Sequence, residues 1–381
     1  MHYEKIMHHK RMLADQVRMV SYQKAIHETV RKGDIVVDIG TGSGILAFFA
    51  IQAGAKKVYA IEKSPVIHEA MSLAKINDLE KKTVFIEERS DKVELPEKVD
   101  VIVSELMGLF GLEENLLRFL FDAKERFLKP GGKLVPSWLE LYVVPVASEA
   151  TWRKYVGFWK EDFYGVDFSS IRNTAASQTY RTSFSDKIEK LASPSMITRL
   201  DVFKHKKKPL MFTAKFTISK KNAFHGLVGY FKAGLSKNIV LSTAPSQPIT
   251  HWEQLFFPLK DVLSVEVGDE VYCAIKAIPK NYNVFWQWET HLCRKGAKIA
   301  AFSQSNYIID KEALRISRKD YKPELTQEAK IHRRIFELCD GNKTVEEIAH
   351  YIMADYPGKY KNINKAFRKV VRTLQAQTKR V

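Results

Sequence analysis

The sequence predicts a protein of class α/β plus β, in which a doubly wound parallel sheet is followed by an antiparallel sheet or barrel and a small helical C-terminal domain. Three patterns lead to this prediction. β-branched runs alternate with helical patterns up to residue 138, short β-rich runs broken by turn residues follow, and a basic helical pattern begins near residue 319. With 45% hydrophobic residues among 381, the chain can bury cores of this size, which excludes a disordered or fibrous protein.

We expect four successive segments along the chain. The N-terminal helices take up residues 1–32, the parallel-sheet domain residues 33–138, the β-barrel domain residues 139–318 and the basic helical domain residues 319–381. An aromatic insertion at residues 151–171 interrupts the β pattern, and aromatic side chains at such density usually bury against another surface.

The N-terminal helices and the parallel sheet are predicted from a change in hydrophobic period. Apolar residues recur at helical spacing over residues 5–30, which predicts one helix. Continuous apolar runs with helical patterns between them then predict right-handed βαβ units, whose strands lie parallel. The four predicted strands cover residues 34–39, 57–61, 83–87 and 100–104.

The β-barrel and the C-terminal domain are predicted from shorter patterns. Runs such as residues 210–218 and 270–277 alternate with turn residues, as in an antiparallel sheet, whereas residues 151–171 are predicted to be helical. Near the C-terminus, Thr344 three residues before Glu347 indicates a capping box at a helix start. We predict two short helices within residues 331–356 and a third over residues 363–374.

Charge and cysteine content narrow the classes of partner. The chain has 61 Lys and Arg against 44 Asp and Glu, a formal charge of +17, which favours acidic or extended partners such as peptides or nucleic acid; a basic surface that only aids solubility is the alternative. No apolar run reaches the roughly 18 residues of a membrane-spanning helix and no signal-peptide core opens the chain, so we expect a cytoplasmic protein without membrane contact. Three scattered cysteines predict neither disulfides nor a metal site.

A glycine-rich turn is the first candidate binding site. Gly40, Gly42 and Gly44 lie between the first strand and its helix, at the edge where parallel sheets bind ligands. Glu62 ends the second strand and can accept both hydroxyls of a ribose, and Asp91 after the third strand can accept from an adenine amine. A dinucleotide site and ordinary strand-end acids are the alternatives, whereas the absence of a GKS or GKT sequence argues against a P-loop.

A loop with acidic residues at both ends is the second candidate site. Glu105 ends the fourth strand, and a glycine-containing loop returns to Glu113 and Glu114. Two carboxylates held close in an apolar loop repel each other and are costly to desolvate unless a cation joins them. A planar guanidinium meets that need by bidentate pairing. The alternative is a strand-end acid followed by two acids that cap the next helix.

Two further groups carry polar side chains that could serve a site. His251 lies in a loop of the β-rich region, and His9, Met12, Asp15 and Arg18 are spaced three or four apart on one face of the N-terminal helix. A structural histidine and a solvated helix face are the simpler explanations when each group is taken alone.

In combination, these motifs resemble those of the protein arginine methyltransferases. The similarity extends over about residues 3–316 and rests on HxxMLxDxxR at residues 9–18, VDIGTGSGIL at residues 37–46, the double-glutamate loop and Thr250-His251-Trp252. It implies a Rossmann-like domain, a β-barrel with a helical dimerisation arm at about residues 151–180, and a head-to-tail homodimer. It also implies transfer of a methyl group from S-adenosylmethionine to the guanidinium of arginine in a protein or peptide, with S-adenosylhomocysteine as product and no metal.

The resemblance implies roles for individual residues. Glu105 and Glu114 would grip the substrate guanidinium, and His251 would pair with Asp15 and help close the site. Arg18 would hold the carboxylate of the methyl donor. The implied catalytic residues are Glu105, Glu114, His251 and Asp15. The implied cofactor-binding residues are His9, Met12, Arg18, Asp38, Gly40, Gly42, Gly44, Glu62 and Asp91.

The chain departs from the family pattern at several positions. Glu113 stands where the family usually has an aromatic residue, and few residues precede the first motif to form the helix that covers the cofactor. Residues 335–348 are similar to PqqD-like domains, which present precursor peptides to modifying enzymes; a basic helical appendage is the alternative. Two other functions therefore stay open, namely a non-catalytic subunit that binds a partner or RNA, and a methyltransferase of small molecules.

Overall fold

The computed structural model describes most of the chain and divides it into two compact units. These units are Met1–Ile308 and Ile309–Val381. The described residues are 2–184, 188–204, 210–280, 283–307, 315, 318 and 320–375.

A five-stranded parallel sheet forms the first layer of the larger unit. The strands are β1 (Ile35–Ile39), β2 (Lys57–Ile61), β3 (Thr83–Ile86), β4 (Val99–Ser104) and β5 (Leu128–Val135). Their order across the sheet is β3-β2-β1-β4-β5, and every neighbouring pair is parallel. The four strands predicted from the sequence are confirmed to within one residue at each end. β-branched residues pack on both faces because helices cover the sheet, which is typical of doubly wound folds.

The helices of this unit surround the parallel sheet and extend into the second half of the unit. They are α1 (His2–Ala14), α2 (Gln16–Thr29), α3 (Ile45–Gln52), α4 (Ile67–Ile76), α5 (Leu116–Phe127), α6 (Glu149–Tyr155) and α7 (Ser169–Ala176), with 3₁₀ turns at Glu80–Lys82, Ser90–Lys92 and Gly157–Lys160.

The single helix predicted over residues 5–30 is wrong, because the chain breaks at Asp15 between α1 and α2. The backbone of Asp15 is extended, with φ −73° and ψ 93°, and its carboxylate accepts the backbone N–H of Arg18 at 2.9 Å. An aspartate in this position satisfies an N–H that has no partner within the helix, so it starts a new helix. The break turns the side chain of Asp15 inward, where it is 9% exposed.

Two antiparallel sheets form the second half of the larger unit and confirm the predicted β-barrel class. The larger sheet has the order β10-β6-β13-β15-β9, with β11 beside β6 and β14 beside β13, and the smaller has the order β12-β16-β17-β18. The strands of the two sheets are β6 (Trp138–Ala147), β9 (Tyr180–Thr182), β10 (Glu189–Lys190), β11 (Ser195–Asp201), β12 (Leu210–Thr217), β13 (Asn222–Gly234), β14 (Val240–Ser242), β15 (Gln254–Val265), β16 (Glu270–Lys280), β17 (Asn283–Arg294) and β18 (Ala297–Ser305). A separate two-stranded hairpin consists of β7 (Asp162–Phe163) and β8 (Val166–Asp167).

The aromatic insertion is not the continuous helix predicted over residues 151–171. A hairpin of β7 and β8 interrupts it, between α6 with its following 3₁₀ turn and α7. The two residues at the hairpin tip, Tyr164 and Gly165, have φ values of 58° and 74°. Two successive positive φ values match a tight hairpin turn and cannot continue a right-handed helix.

One aromatic cluster joins the two halves of the larger unit. Phe110, from the loop after β4, packs against Phe257 at 5.7 Å and against Trp286 at 5.1 Å between ring centroids. All three side chains are almost completely buried. The loop that carries the acidic residues is therefore anchored in the core of the β-barrel domain.

The C-terminal unit contains three helices among its described residues. They are α8 (Gln327–Leu338), α9 (Val345–Asp355) and α10 (Ile363–Gln375). The predicted capping box is confirmed, because Thr344 accepts the N–H of Glu347 and the Glu347 carboxylate accepts the N–H of Thr344. Ile331, Ile348 and Val370 belong to its own buried core. Within the described parts of the chain, every helix is too short or too polar to cross a membrane.

Candidate active site

The glycine-rich turn forms one wall of a cavity at the carboxyl ends of the parallel strands. Gly40 and Gly42 have φ values of 72° and 55°. A Cβ atom on Gly42 would lie 3.0 Å from Cε1 of His9, and one on Gly40 would lie 3.0 Å from Cδ2 of Leu106. Side chains here would close the space, so only glycine leaves the backbone open to a ligand. Gly44, with φ 85°, precedes α3 and starts that helix.

The cavity beside this turn has a volume of about 380 Å³, and a second hollow of about 350 Å³ adjoins it. Gly40, Glu62, Leu106 and Glu114 belong to the linings of both. Spaces of this size hold ligands such as nucleosides and cofactors. Nine of the thirteen predicted site residues line the larger cavity, namely His9, Met12, Arg18, Gly40, Gly42, Glu62, Glu105, Glu114 and His251.

Glu62 and Asp38 support the turn in different ways. Glu62 accepts the N–H of Gly42 at 3.3 Å while its carboxylate lines both hollows, so it can also accept from a bound ligand. Asp38 is fully buried beneath the turn and accepts from the Thr41 hydroxyl at 2.6 Å and from the Ala47 N–H at 3.1 Å. Burial raises the pKa of Asp38 to about 7. The geometry therefore makes Asp38 a support of the turn rather than part of the cavity wall.

Asp91 does not belong to the described lining of either hollow. Its carboxylate pairs with Arg89 at 2.6 Å and with Arg118 at 3.2 Å. Burial opposes ionisation, but the hydrogen bond and charge of Arg89 lower the pKa of Asp91 below its ordinary value. Glu88 and Ser90 line the second hollow instead, next to Phe119. Glu88, and not Asp91, is therefore an acid that lines the second hollow.

Glu105 is held by an arginine from the N-terminal helices. Nε and Nη2 of Arg18 lie 3.0 and 2.9 Å from Oε2 of Glu105, and each side chain is only 6% exposed. The pair is buried and charge-assisted, so its geometry is well defined. Oε1 of Glu105 accepts only a long 3.4 Å contact from the Met107 N–H among the described residues. This oxygen is the one that a substrate cation can approach.

Glu113 and Glu114 line the same cavity as Glu105, and the charges of Glu105 and Glu113 both act on Glu114. Burial first, and then the charge of Glu105, raise the pKa of Glu114, although water still reaches its side chain through the open cavity. Glu113 accepts the N–H of Phe110 at 2.7 Å and the indole N–H of Trp286 at 3.2 Å. Burial raises the pKa of Glu113 to about 7. Glu113 therefore ties the acidic loop to the β-barrel.

His251 and Asp15 meet as the resemblance implies, although 236 residues separate them. Oδ2 of Asp15 lies 2.9 Å from Nδ1 of His251 and accepts its backbone N–H at 2.7 Å. Burial would raise the pKa of Asp15, but these hydrogen bonds outweigh burial and lower it. Because a carboxylate only accepts, the proton between the two groups is on Nδ1, and Nε2 is the ring nitrogen left for another partner. His251 lines the cavity, whereas Asp15 orients it from behind.

Sequence reasoning missed several residues of the cavity wall, and two of them come from the antiparallel sheets. Arg181 on β9 and Asn283 at the start of β17 both belong to the lining. Neither lies in a motif, and each reaches the cavity only because the antiparallel sheets fold against the parallel one. Within the described residues, no three or more His, Cys, Asp or Glu side chains are placed to hold a metal ion.

Comparison with known proteins identifies relatives over most of the chain. A family model described as the arginine methyltransferase oligomerization subdomain matches residues 139–289, and one described as ribosomal protein L11 methyltransferase matches residues 22–139. Protein arginine N-methyltransferase 8-B of Danio rerio is 34% identical over 286 residues, which cover 72% of this chain and 67% of that protein. Protein arginine N-methyltransferase 1 of Schizosaccharomyces pombe is 33% identical over 286 residues, 72% of this chain and 83% of that protein.

Solved structures show the same relationship. The Trypanosoma brucei PRMT1 enzyme-prozyme heterotetrameric complex with AdoHcy matches with a TM-score of 0.70 and 26% identity, over 78% of this chain and 96% of that chain. Arabidopsis thaliana protein arginine methyltransferase 10 matches with a TM-score of 0.68 and 28% identity over the same shares of the two chains.

Proposed function

The chain belongs to the protein arginine N-methyltransferase family, and we propose that Glu105 and Glu114 bind the guanidinium of its arginine substrate. The chain is an S-adenosylmethionine-dependent enzyme that methylates arginine in proteins. The observation that supports the residue assignment most directly is that both glutamates line one cavity together with the glycine turn and Glu62.

We assign the methyl donor to the side of the cavity formed by the glycine turn. The missing Cβ atoms of Gly40 and Gly42 leave room for a nucleoside, and Glu62 presents a carboxylate to its ribose. When bound, S-adenosylmethionine supplies a sulfonium methyl group that a nucleophilic nitrogen can take. Arg18 and His9 line the same side. Burial lowers the pKa of His9, so its ring is neutral and does not repel a sulfonium.

The two glutamates prepare the substrate nitrogen for attack. A guanidinium has a pKa above about 12 and delocalised lone pairs, so it is a poor nucleophile in water. Oε1 of Glu105 and the carboxylate of Glu114 can accept hydrogen bonds from the guanidinium. These bonds would orient one terminal nitrogen in line with the methyl group. Positioning of this kind can lower a barrier by up to about 7 to 11 kcal/mol. Carboxylates next to the reacting nitrogen also interact more strongly as charge moves onto the guanidinium.

His251 provides a place for the proton that leaves after methylation. The substrate nitrogen loses one proton as its new bond to carbon forms, and the methylated guanidinium keeps its single positive charge. Nε2 of His251 is an acceptor because Asp15 holds Nδ1–H. A strong base is not needed, because the acidity of the nitrogen rises as the bond to carbon forms, and water can take the same proton.

The replacement of Glu114 by glutamine tests this mechanism. Glutamine keeps the shape of the side chain but removes the charge, so turnover should fall by at least about 100-fold while the dissociation constant of S-adenosylhomocysteine changes less than about threefold. Radiolabelled donor and arginine peptides measure turnover, and calorimetry measures binding. Glu346→Gln, on α9 of the C-terminal unit, is a matched control. A Glu114→Gln enzyme that retains most of its turnover would contradict the two-carboxylate mechanism.

Two further proposals concern the oligomeric state and the C-terminal unit. The match of residues 139–289 to an oligomerization subdomain supports an oligomer, and we propose a head-to-tail homodimer formed through residues 151–180. Tyr164 and Val166 at the hairpin tip are 102% and 51% exposed in the single chain, as expected of an interface. The double variant Tyr164→Ala/Val166→Asp tests this dimer. Its mass, measured by light scattering, should be that of a monomer, and a dimer that persists would contradict the proposed interface. The PqqD-like likeness, a precursor-peptide or RNA ligand, and the cytoplasmic location stay predictions.

A further inference from the structure

Arg181 is a cationic residue of the active-site wall that the proposed mechanism leaves without a role. It lies on β9, opposite Leu255 of β15, and the hydroxyl of Tyr155 donates to its carbonyl at 3.1 Å. The backbone at Arg181 is thus held by sheet pairing, and its side chain lines the same cavity as Glu105 and Glu114.

Two nitrogens of the Arg181 guanidinium have no hydrogen-bond acceptor in the described part of the chain. Its Nε and Nη2 atoms are buried and have no hydrogen-bond partner there, although the side chain as a whole is 28% exposed. The nearest acid is Glu253, whose Oε1 lies 3.4 Å from Nε of Arg181. A buried N–H without an acceptor costs about 1 to 3 kcal/mol, more for a charged group, so an anion that entered the cavity would find an unsatisfied site.

The local charge balance points the same way. Oε1 of Glu253 also accepts a hydrogen bond from Nη2 of Arg11 at 2.9 Å. One carboxylate therefore serves two guanidinium groups, which leaves one positive charge in excess on this wall. Glu105 and Glu114 line the same cavity, where Arg18 already pairs with Glu105, whereas Arg181 shares its acid with Arg11.

We propose that Arg181 binds a carboxylate of the peptide substrate, close in sequence to the arginine that is methylated. This inference rests on the proposed function, because Glu105 and Glu114 take the substrate guanidinium while Arg181 takes the anion. The carboxylate belongs to an aspartate or glutamate side chain or to the C-terminus of the peptide. The formal charge of +17 also attracts acidic segments and disfavours strongly basic ones.

A series of matched peptides tests the proposal. Each peptide carries one arginine and either aspartate or asparagine at one of the three positions before or after it, with a free or an amidated C-terminus. The wild-type enzyme should prefer a carboxylate at one position by about tenfold in kcat/KM, the scale of one charge-assisted hydrogen bond. The amidated series separates an acidic side chain from a terminal carboxylate.

Variants of Arg181 then assign the preference to this side chain. Arg181→Gln should reduce the Asp/Asn ratio to about one, and Arg181→Glu should reduce it below one, because two carboxylates repel each other. Arg181→Lys keeps the charge but not the planar fork, so its Asp/Asn ratio should fall between those of the wild type and Arg181→Gln. This variant serves as the test if Arg181→Gln does not fold. Arg333→Gln, an exposed arginine of the C-terminal unit, removes the same charge elsewhere and should keep the wild-type ratio.

Three results would overturn the proposal. An Asp/Asn ratio near one in the wild type at every position, with either C-terminus, refutes it while leaving arginine methylation intact. A ratio that Arg181→Gln does not change also refutes it. A tenfold weaker binding of S-adenosylhomocysteine to Arg181→Gln in calorimetry assigns Arg181 to the donor instead. If the wild type methylates none of the peptides on arginine, the proposed function fails, and this inference with it.

Discussion

Replacing Glu113 by glutamine should make the stability of the larger unit less dependent on pH. Glu113 accepts two hydrogen bonds from the backbone of its own loop and one from the Trp286 indole, and burial raises its pKa from 4.5 to about 7. Glutamine keeps the shape of the side chain and one acceptor oxygen but does not titrate, and its NH2 group cannot accept as the second oxygen of Glu113 does. The variant should therefore differ from the wild type by a constant amount at low pH, and the difference should change only as Glu113 ionises.

The size of the effect follows from the raised pKa. A carboxyl group whose pKa is higher in the folded chain contributes stability that is fully present below about 4.5, its unfolded value, and is lost as the pH rises through about 7. At about 1.36 kcal/mol for each unit of pKa, the complete loss amounts to about 3 kcal/mol. From pH 5 to pH 8 the wild type should therefore lose up to about 3 kcal/mol of unfolding free energy relative to Glu113→Gln.

Urea denaturation followed by tryptophan fluorescence measures this difference. All six tryptophans lie at or before residue 288, so the signal reports the unit Met1–Ile308 alone. Glu161→Gln is a matched control, because it removes a carboxylate that is 43% exposed and therefore not desolvated. If the unfolding free energies of wild type and Glu113→Gln stay parallel within about 0.5 kcal/mol between pH 5 and 8, the assignment of a buried titrating acid is refuted.

Three further predictions follow from the cavity. Arg18→Ala leaves Glu105 buried without its partner, so the unfolding free energy should fall by about 3 to 5 kcal/mol in urea, and a loss below about 1 kcal/mol would contradict this. Gly42→Ala should weaken S-adenosylhomocysteine binding at least about tenfold in calorimetry, because its Cβ would crowd the donor site. Gly131→Ala is the control, because Gly131 also has a positive φ but a Cβ there would have no atom within 4 Å; this variant should leave S-adenosylhomocysteine binding unchanged. Because Glu114 must lose its proton to hold a guanidinium and its pKa is raised, kcat/KM should increase with pH through neutrality; a flat profile from pH 6 to 9 would argue against its role.

Local sequence patterns determined the elements of the parallel sheet and the shape of the cofactor turn. The β-branched run before Gly40 favours a strand, and the positive φ values of Gly40 and Gly42 require no distant contact. The capping box at Thr344 and Glu347 is likewise complete within four residues. These features could be predicted because the interactions that stabilise them are formed by neighbours along the chain.

Only the tertiary structure decided which polar residues share the cavity and which pairs of charges neutralise each other. Asp15 was expected within one helix, yet it caps α2, and its contact with His251, 236 residues away, followed from no local pattern but only from the family resemblance. Arg181 had no motif at all, and its excess charge depends on how Glu253 is shared with Arg11. Hydrophobic period and turn residues carry information about neighbours in sequence, whereas ion pairing in a cavity depends on distances that arise only when two sheets pack together.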